Sequence, residues 1–232
     1  MTYAGLFKAW ATVLAAILVA ILLSTIALTT GAEAQAAGCT GKVVLDPGHG
    51  GTDPGAVNKN GLQEKVQTLK VASTLKGLLV EDGCTVYMTR TGDETLSNTQ
   101  RANRANATGA DVLVSIHMNG STNTSADYTT TLFGKWRKDK ALANTMFQSL
   151  STLPSASGTG TIATKTPYSF ASGVLLKSNM PATIAETVFI TSDKEAEWLQ
   201  KGRTMPDGTV VSRQHQIAQK LEAGIQSYLA PR

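Results

Sequence analysis

The sequence predicts a single α/β domain in which helices flank a twisted, mostly parallel β-sheet. Short runs rich in β-branched residues alternate along the chain with longer amphipathic helical patterns, which is the order that a parallel sheet requires. No internal repeat and no linker separates these segments. The composition agrees, because 42% of the 232 residues are hydrophobic and 16% are charged, values that argue against a disordered chain or a coiled coil.

The N-terminal segment has the features of an export signal. Residues 9–28 are uncharged and follow Lys8, and two Ala-x-Ala sequences come soon after them. This pattern is typical of a cleaved signal peptide, although about 20 apolar residues also suffice for an uncleaved membrane anchor. We therefore expect residues 1–37 to be a signal peptide or an N-terminal anchor, and residues 38–232 to form the folded domain. Either alternative places that domain in the cell wall, the periplasm or the extracellular space.

The first half of the domain reads as three strands and two helices. Lys42–Leu45 is a β-branched run that ends at Asp-Pro-Gly, as expected of a buried strand followed by a loop. Apolar residues spaced by three, four and seven predict an amphipathic helix over Leu62–Val80. Val86–Met88 and Val112–Ile116 are the next strands, with a short polar helix within Asp93–Ala107 between them.

The second half continues the alternation, with two polar loops. We expect the loops, Gly120–Thr131 and Ser151–Ala171, to border a substrate groove or to be ordinary solvated surface. The regular elements are predicted to be a helix over Trp136–Leu150, strands at Leu175–Leu176 and Ala182–Phe189, and a last helix over Ser212–Leu229.

The two cysteines precede neighbouring predicted strands. Cys39 comes just before the first strand and Cys84 just before the second, so both thiols fall at the same edge of a parallel sheet. In an oxidising compartment they can form a disulfide, and two unpaired thiols are the equal alternative. Two cysteines are too few for a disulfide-rich scaffold or a zinc site built on thiolates.

Two of the three histidines follow predicted strands. His49 lies in DPGHGG after the first strand, and His117 lies in SIHMN after the third. Ligand sites of parallel sheets form at the carboxyl ends of the strands, so we expect these imidazoles to meet there. A single histidine after a strand is more often an ordinary surface residue, but the equivalent placement of two indicates a site.

Two acidic residues are candidates to complete this site. Glu64 begins the helix that follows the DPGHGG loop, although the helix dipole alone also favours an acid there. Glu186 interrupts the apolar run ATIAETVF, where a buried carboxylate is costly unless it meets a cation or moves a proton. A surface-facing position on that strand is the equal alternative for Glu186.

Other chemistries lack their motifs. The glycine-rich loop has neither the Gly-Lys-Ser/Thr ending of a P-loop nor the spacing of a dinucleotide fingerprint. The chain contains no G-x-S-x-G and no HExxH. Its formal charge of +4, from 21 basic and 17 acidic residues, is not gathered into a basic block, so we expect no nucleic-acid partner.

The ordered set of motifs resembles the zinc-dependent N-acetylmuramoyl-L-alanine amidases, the type-3 amidase family of cell-wall hydrolases. The motifs are KVVLDPGHGGTDPGA, GLQEK, RTGDETL with Arg101 downstream, ADVLVSIHMNG and MPATIAETVFITS. The resemblance covers about residues 42–229. It implies a fold related to zinc exopeptidases, and hydrolysis of the amide bond between the lactyl group of N-acetylmuramic acid and L-alanine in peptidoglycan. Such an enzyme acts as an autolysin.

The resemblance also assigns roles to residues. It makes His49, Glu64 and His117 the ligands of Zn²⁺ and Glu186 the catalytic carboxylate. Asp46 is a candidate hydrogen-bond partner for the His49 ring, with a backbone carbonyl as the equal alternative. Our remaining candidates for orienting substrate or loops are Arg101 and Asn119.

Two alternatives stay open at this point, a zinc peptidase that cuts within the stem peptide and a non-catalytic wall-binding module. We expect a monomer that acts on peptidoglycan and meets a membrane only through an uncleaved N-terminal segment.

Overall fold

The computed structural model describes residues 39–205 and 207–231. The predicted leader at residues 1–37 lies outside them. The described chain contains nine strands and six helices, taken here in chain order. They are β1 (Lys42–Pro47), α1 (Glu64–Glu81), β2 (Thr85–Met88), α2 (Asn98–Asn106), β3 (Val112–Asn119), β4 (Tyr128–Phe133), α3 (Trp136–Leu150), β5 (Ala163–Thr164), β6 (Tyr168–Ser169), α4 (Gly173–Lys177), β7 (Ala182–Phe189), α5 (Asp193–Lys201), β8 (Arg203–Thr204), β9 (Val210–Val211) and α6 (Arg213–Leu229).

Seven of the strands form one mostly parallel sheet, which confirms the predicted fold class. The order is β2-β1-β3-β7-β4-β5, with β6 also paired to β4. Strands β2, β1, β3 and β7 run parallel, and β4 is antiparallel to β7. The carboxyl ends of β1, β3 and β7 therefore share one edge of the sheet, as parallel strands require.

Helices cover both faces of this sheet. On one face, α1, α3 and α6 contribute Leu75, Leu142 and Ile217 to a core that also contains Val43 and Val114. On the other face, α2 and α4 pack Ala105 and Leu175 against the sheet. Because consecutive strand residues point to opposite faces and helices cover both faces, most residues of β1 and β7 are buried and apolar. This pattern explains why β1 and β7 were recognisable from sequence.

Cys39 and Cys84 form a disulfide, with 4.8 Å between their Cα atoms. Of the two alternatives predicted from sequence, the paired one is therefore what the structure contains. The bond joins the chain just before β1 to the start of β2, at the amino edge of the sheet. It closes a segment with a sequence separation of 45 residues, which contains β1, α1 and the loop between them.

The structure corrects four elements predicted from sequence. Strand β3 continues to Asn119, so His117 lies within the strand. Residues Tyr128–Phe133 form β4, although most of that run was assigned to a loop. Leu175–Leu176 lies in α4, a helix rather than a strand. Helix α5 was not predicted at all.

The described helices were also compared with the requirements for crossing a membrane. None within residues 39–205 and 207–231 is both long enough and apolar enough.

Candidate metal centre

Three side chains converge at the carboxyl edge of the sheet. Glu64 Oε1 lies 3.1 Å from His49 Nε2 and 3.1 Å from His117 Nδ1. One ligand atom from each of the three residues lies within 4.8 Å of the others. Two imidazole nitrogens and one carboxylate oxygen form the kind of donor set that holds a catalytic divalent metal. The residues present therefore fit a metal ion.

The fold brings each of these residues to the edge from a different element. His49 lies two residues beyond β1, His117 lies in the last part of β3, and Glu64 is the first residue of α1. The backbone amides of Ala56 and Met118 donate to the Glu64 carboxylate, at 2.8 and 2.9 Å. These hydrogen bonds fix the carboxylate between the two rings.

Two glycines make room for the rings. A Cβ atom at Gly48 would lie 2.4 Å from the His117 ring, and one at Gly55 would lie 2.6 Å from both Glu64 and His49. Gly55 also has φ of +67°, a conformation that other residues adopt with strain. His49 itself has φ of +60°, so the loop holds this histidine in a backbone conformation that needs support.

Two buried arginines supply that support, and we call them the arginine clamp. Arg101 donates to the carbonyls of Pro47 and His49, at 2.7 and 2.6 Å. Arg90 donates to the carbonyls of Pro47 and Gly48, at 2.9 and 2.8 Å. Each carbonyl from Pro47 to His49 thus accepts a charged donor, which is stronger than a neutral one.

Asp46 does not contact the His49 ring, contrary to the expectation for that residue. It is fully buried, and its carboxylate accepts hydrogen bonds from Thr89, Ser115 and Arg101. Burial raises the pKa of Asp46, but Arg101 and the two hydroxyls outweigh burial and hold it below the ordinary value. Asp46 therefore anchors the clamp instead.

The partner of the His49 ring is Asp53, which sequence reasoning missed. Its Oδ2 lies 2.8 Å from His49 Nδ1. A carboxylate on the second ring nitrogen orients a metal-bound histidine and makes it more basic. The two residues are four positions apart in a loop, and no periodic pattern signals such a contact.

The charges of the cluster shift its own titration. Burial lowers the pKa of His49, but the neighbouring Glu64 and Asp53 carboxylates outweigh burial and raise it to about 9. Burial raises the pKa of Glu64, but its hydrogen bonds to His117 and His49 outweigh burial and hold that pKa far below the ordinary range. The carboxylate therefore stays charged, as a metal ligand must.

Glu186 lies beside the cluster on the neighbouring strand. It pairs with His117 in the register of β3 and β7, so both side chains emerge from the same face. Burial raises the pKa of Glu186, and the charges of the two histidines oppose the rise. A carboxylate in this setting suits proton transfer near neutral pH.

A cavity of about 360 Å³ opens on this face of the sheet. His49, His117 and Glu186 line one part of it. Apolar and aromatic side chains also line it, namely Leu96 before α2, Tyr168 in β6, Phe170 just after β6 and Val174 in α4. The site can thus take a ligand that has both a polar reacting group and an apolar surface.

The two remaining predicted residues, Arg101 and Asn119, were candidates for orienting substrate or loops. Arg101 lines the cavity, but its guanidinium is committed to Asp46 and the loop carbonyls, so it positions the loop. Asn119 ends β3, and its Nδ2 atom is buried without a hydrogen-bond partner in the described part of the chain. Sequence reasoning missed Arg90. This residue follows the end of β2, and placement near the carboxyl end of a strand is the signal that pointed to the histidines.

A sequence model of the N-acetylmuramoyl-L-alanine amidase family matches residues 43–227. The chain belongs to this family. The match spans β1 to α6 and includes the three clustered residues, His49, Glu64 and His117, as well as Glu186 on the neighbouring strand. The predicted resemblance is therefore confirmed.

Individual members of the amidase family agree with this placement. The chain is 51% identical over 80 residues to the amidase CwlM of Bacillus licheniformis, covering 34% of this chain and 31% of the relative. It is 30% identical over 175 residues to LytC of Bacillus subtilis, covering 72% and 34%. The crystal structure of an N-acetylmuramoyl-L-alanine amidase from Clostridium difficile 630 superposes with a TM-score of 0.70 at 31% identity, covering 82% of this chain and 97% of that one. The aligned segments thus span about a third of these two curated relatives.

Proposed function

We propose that this protein is a zinc-dependent N-acetylmuramoyl-L-alanine amidase. In this proposal it hydrolyses the amide bond between the lactyl group of N-acetylmuramic acid and L-alanine in peptidoglycan. The observation that carries it is the convergence of His49, Glu64 and His117, together with a cavity that both histidines and Glu186 line. Family membership supports the choice of bond.

His49, Glu64 and His117 would hold the zinc. Two neutral imidazoles and one carboxylate would give the bound ion a net charge near +1. When bound, it supplies Lewis-acid polarisation of the amide carbonyl and lowers the pKa of a bound water to about 7. The Asp53 carboxylate keeps the His49 ring oriented through Nδ1.

Glu186 moves the proton. Its carboxylate takes a proton from the attacking water as the carbon–oxygen bond forms, and then delivers it to the departing amine of L-alanine. A group that must serve first as base and then as acid works best with a pKa near the working pH. Burial raises the pKa of Glu186 toward that range.

Export of the domain is part of the proposal. The disulfide supports an oxidising compartment, and peptidoglycan lies outside the cytoplasm. The sequence at residues 1–37 suits either a cleaved signal peptide or an anchor. The mild positive charge of +4 also suits an acidic wall.

Digestion of purified peptidoglycan tests the function. We expect mass spectrometry to find intact stem peptides with a free L-alanine amine, and glycan strands that keep the lactyl group. A chelator should stop the reaction and added zinc should restore it. Truncated peptides still attached to glycan would instead indicate a peptidase, and an inactive protein with bound zinc would contradict both readings.

Glu186→Gln tests the proton-transfer role. We expect kcat to fall at least about 100-fold, the usual contribution of a general acid–base, while the zinc content stays unchanged. Glu197→Gln is the matched control, because Glu197 is an exposed residue whose partner is Lys201. Turnover near the wild-type value in Glu186→Gln would remove Glu186 from the mechanism.

A further inference from the structure

Three side-chain polar atoms in the described part of the chain are buried without a hydrogen-bond partner. They are Asn119 Nδ2, Asp127 Oδ1 and Thr130 Oγ1. Asn119 lies in β3, Thr130 lies in β4, and Asp127 directly precedes β4. Strands β3 and β4 flank β7 in the sheet. Burying a polar atom unpaired costs free energy, and Thr130 is the one of the three that lies in register with Glu186.

Thr130 lies directly opposite Glu186. The two residues are partners in the antiparallel register of β4 and β7, so their side chains share one face and their Cβ atoms lie about 5 Å apart. His117 is the register partner of Glu186 on the other side. His117, Glu186 and Thr130 therefore form a row across three strands, with the carboxylate in the middle.

The neighbouring threonines show that the Thr130 hydroxyl is exceptional. Thr129, Thr130 and Thr131 are all buried in β4. Thr129 donates to the backbone carbonyl of Glu186 at 3.2 Å, and Thr131 donates to that of Ala143 at 2.8 Å. A β-branched side chain suits a strand, but valine is also β-branched and would not bury a hydroxyl. The strand alone therefore does not account for a threonine at position 130.

The Glu186 carboxylate, for its part, receives no hydrogen bond from any residue that the structure describes. A free carboxylate can rotate about the bonds of its side chain. A general base needs one oxygen directed at the reacting water, and a donor on its other oxygen would fix that direction.

We propose that Thr130 is a positioning residue for the catalytic carboxylate: its hydroxyl donates to Glu186 in the working enzyme, on the flank opposite His117. This inference rests on the proposed function. Thr130 does not bind the metal and takes no part in proton transfer itself.

Steady-state kinetics of hydroxyl-deleted variants test this role. In Thr130→Val we expect kcat on peptidoglycan fragments to fall about 10- to 100-fold, as for the loss of one hydrogen bond to a charged group. KM should stay within about twofold, because no substrate contact is lost. Thr130→Ser should restore most of kcat, and zinc content should be equal in all variants.

Thr131→Val is the matched control on the opposite face of the same strand. It loses a hydrogen bond that the fold uses, so its unfolding midpoint should fall while kcat stays unchanged. In Thr130→Val, kcat should fall while the unfolding midpoint does not, since no hydrogen bond is lost in the resting structure. If Thr130→Val does not fold, Thr130→Ala and Thr130→Ser give the same comparison, because they differ only by the hydroxyl.

Wild-type kcat in Thr130→Val would overturn the inference, as would a Thr130→Ser variant impaired as much as Thr130→Val. A rise in KM alone would also overturn it. Failure of the proposed function is distinguishable, because it would appear as an inactive wild-type protein. If the wild-type enzyme is active and its kcat does not depend on the Thr130 hydroxyl, this inference is refuted and the proposed function stands.

Discussion

His49 is held in a left-handed backbone conformation by the arginine clamp beneath it. The positive φ of this residue needs external support, and Arg101 supplies part of it through the His49 carbonyl and the Asp46 carboxylate. Both contacts use the fork geometry of the guanidinium. Lysine keeps the charge but loses that geometry.

Arg101→Lys should therefore weaken zinc binding about 10- to 100-fold, the usual effect of disturbing an outer-shell contact. Competition with a zinc-binding dye measures the affinity. Arg104→Lys is the control, because Arg104 is half exposed and contacts Glu94 and the Thr89 carbonyl. Equal affinities in the two variants would mean that the clamp does not set the ligand geometry.

At this scale the sequence predicted the residues of the cluster better than their supports. His49, His117 and Glu64 could be proposed because parallel strands place their carboxyl ends together. Asp53 could not, because a contact within a loop leaves no periodic pattern in the sequence. Arg90 was missed although it follows the end of β2, a placement that also pointed to the histidines. Asp46 was misjudged because its position before His49 says nothing of the direction in which the side chain points.

Among the elements, periodicity identified the long helices and the buried strands. Helix α3 and strand β7 have the predicted bounds. Strand β4 was missed because its run YTTTLF contains three polar threonines, although the hydroxyls of Thr129 and Thr131 donate to backbone carbonyls inside the protein. Leu175–Leu176 was too short to distinguish a strand from one turn of a buried helix.

The packing of α6 against the end of α1 brings two carboxyl groups together. Burial raises the pKa of Glu222 to about 7, and its hydrogen bond to Asp82 and the charge of Asp82 act in the same direction. Above the unfolded pKa, near 4.5, the unfolded chain releases this proton while the folded chain retains it. The contribution of Glu222 to stability therefore falls as pH rises from about 4.5 to about 7.

Glu222→Gln should remove that part of the pH dependence. We expect its melting temperature at pH 8 to exceed that of the wild type, by no more than about 3 °C for a partly exposed pair. At pH 4 the two proteins should melt together. Scanning calorimetry across this range is the measurement, and parallel curves for the two proteins would show that the pair is not coupled to folding.

For the molecule as a whole, the disulfide closes the same segment of chain that carries two residues of the candidate metal centre. Cys39 and Cys84 enclose both His49 and Glu64, with a sequence separation of 45 residues. Closing a loop of this length restricts the unfolded chain, and loop entropy gives about 4 kcal/mol as the stabilisation.

The Cys39→Ser, Cys84→Ser double variant should lose up to about 4 kcal/mol of unfolding free energy in guanidinium chloride. Saturating zinc should recover part of this loss, because the metal binds only the folded chain. The wild type in reductant should behave like the double variant. Unchanged stability in both would mean that the fold does not depend on the bond.

The central claim is that His49, Glu64 and His117 hold one zinc ion that hydrolysis requires. Elemental analysis of the purified protein tests it most directly, paired with turnover of peptidoglycan fragments on the same sample. We expect one zinc ion per chain and activity proportional to zinc, with both strongly reduced in Glu64→Ala. Full turnover by a preparation without stoichiometric metal would contradict the claim.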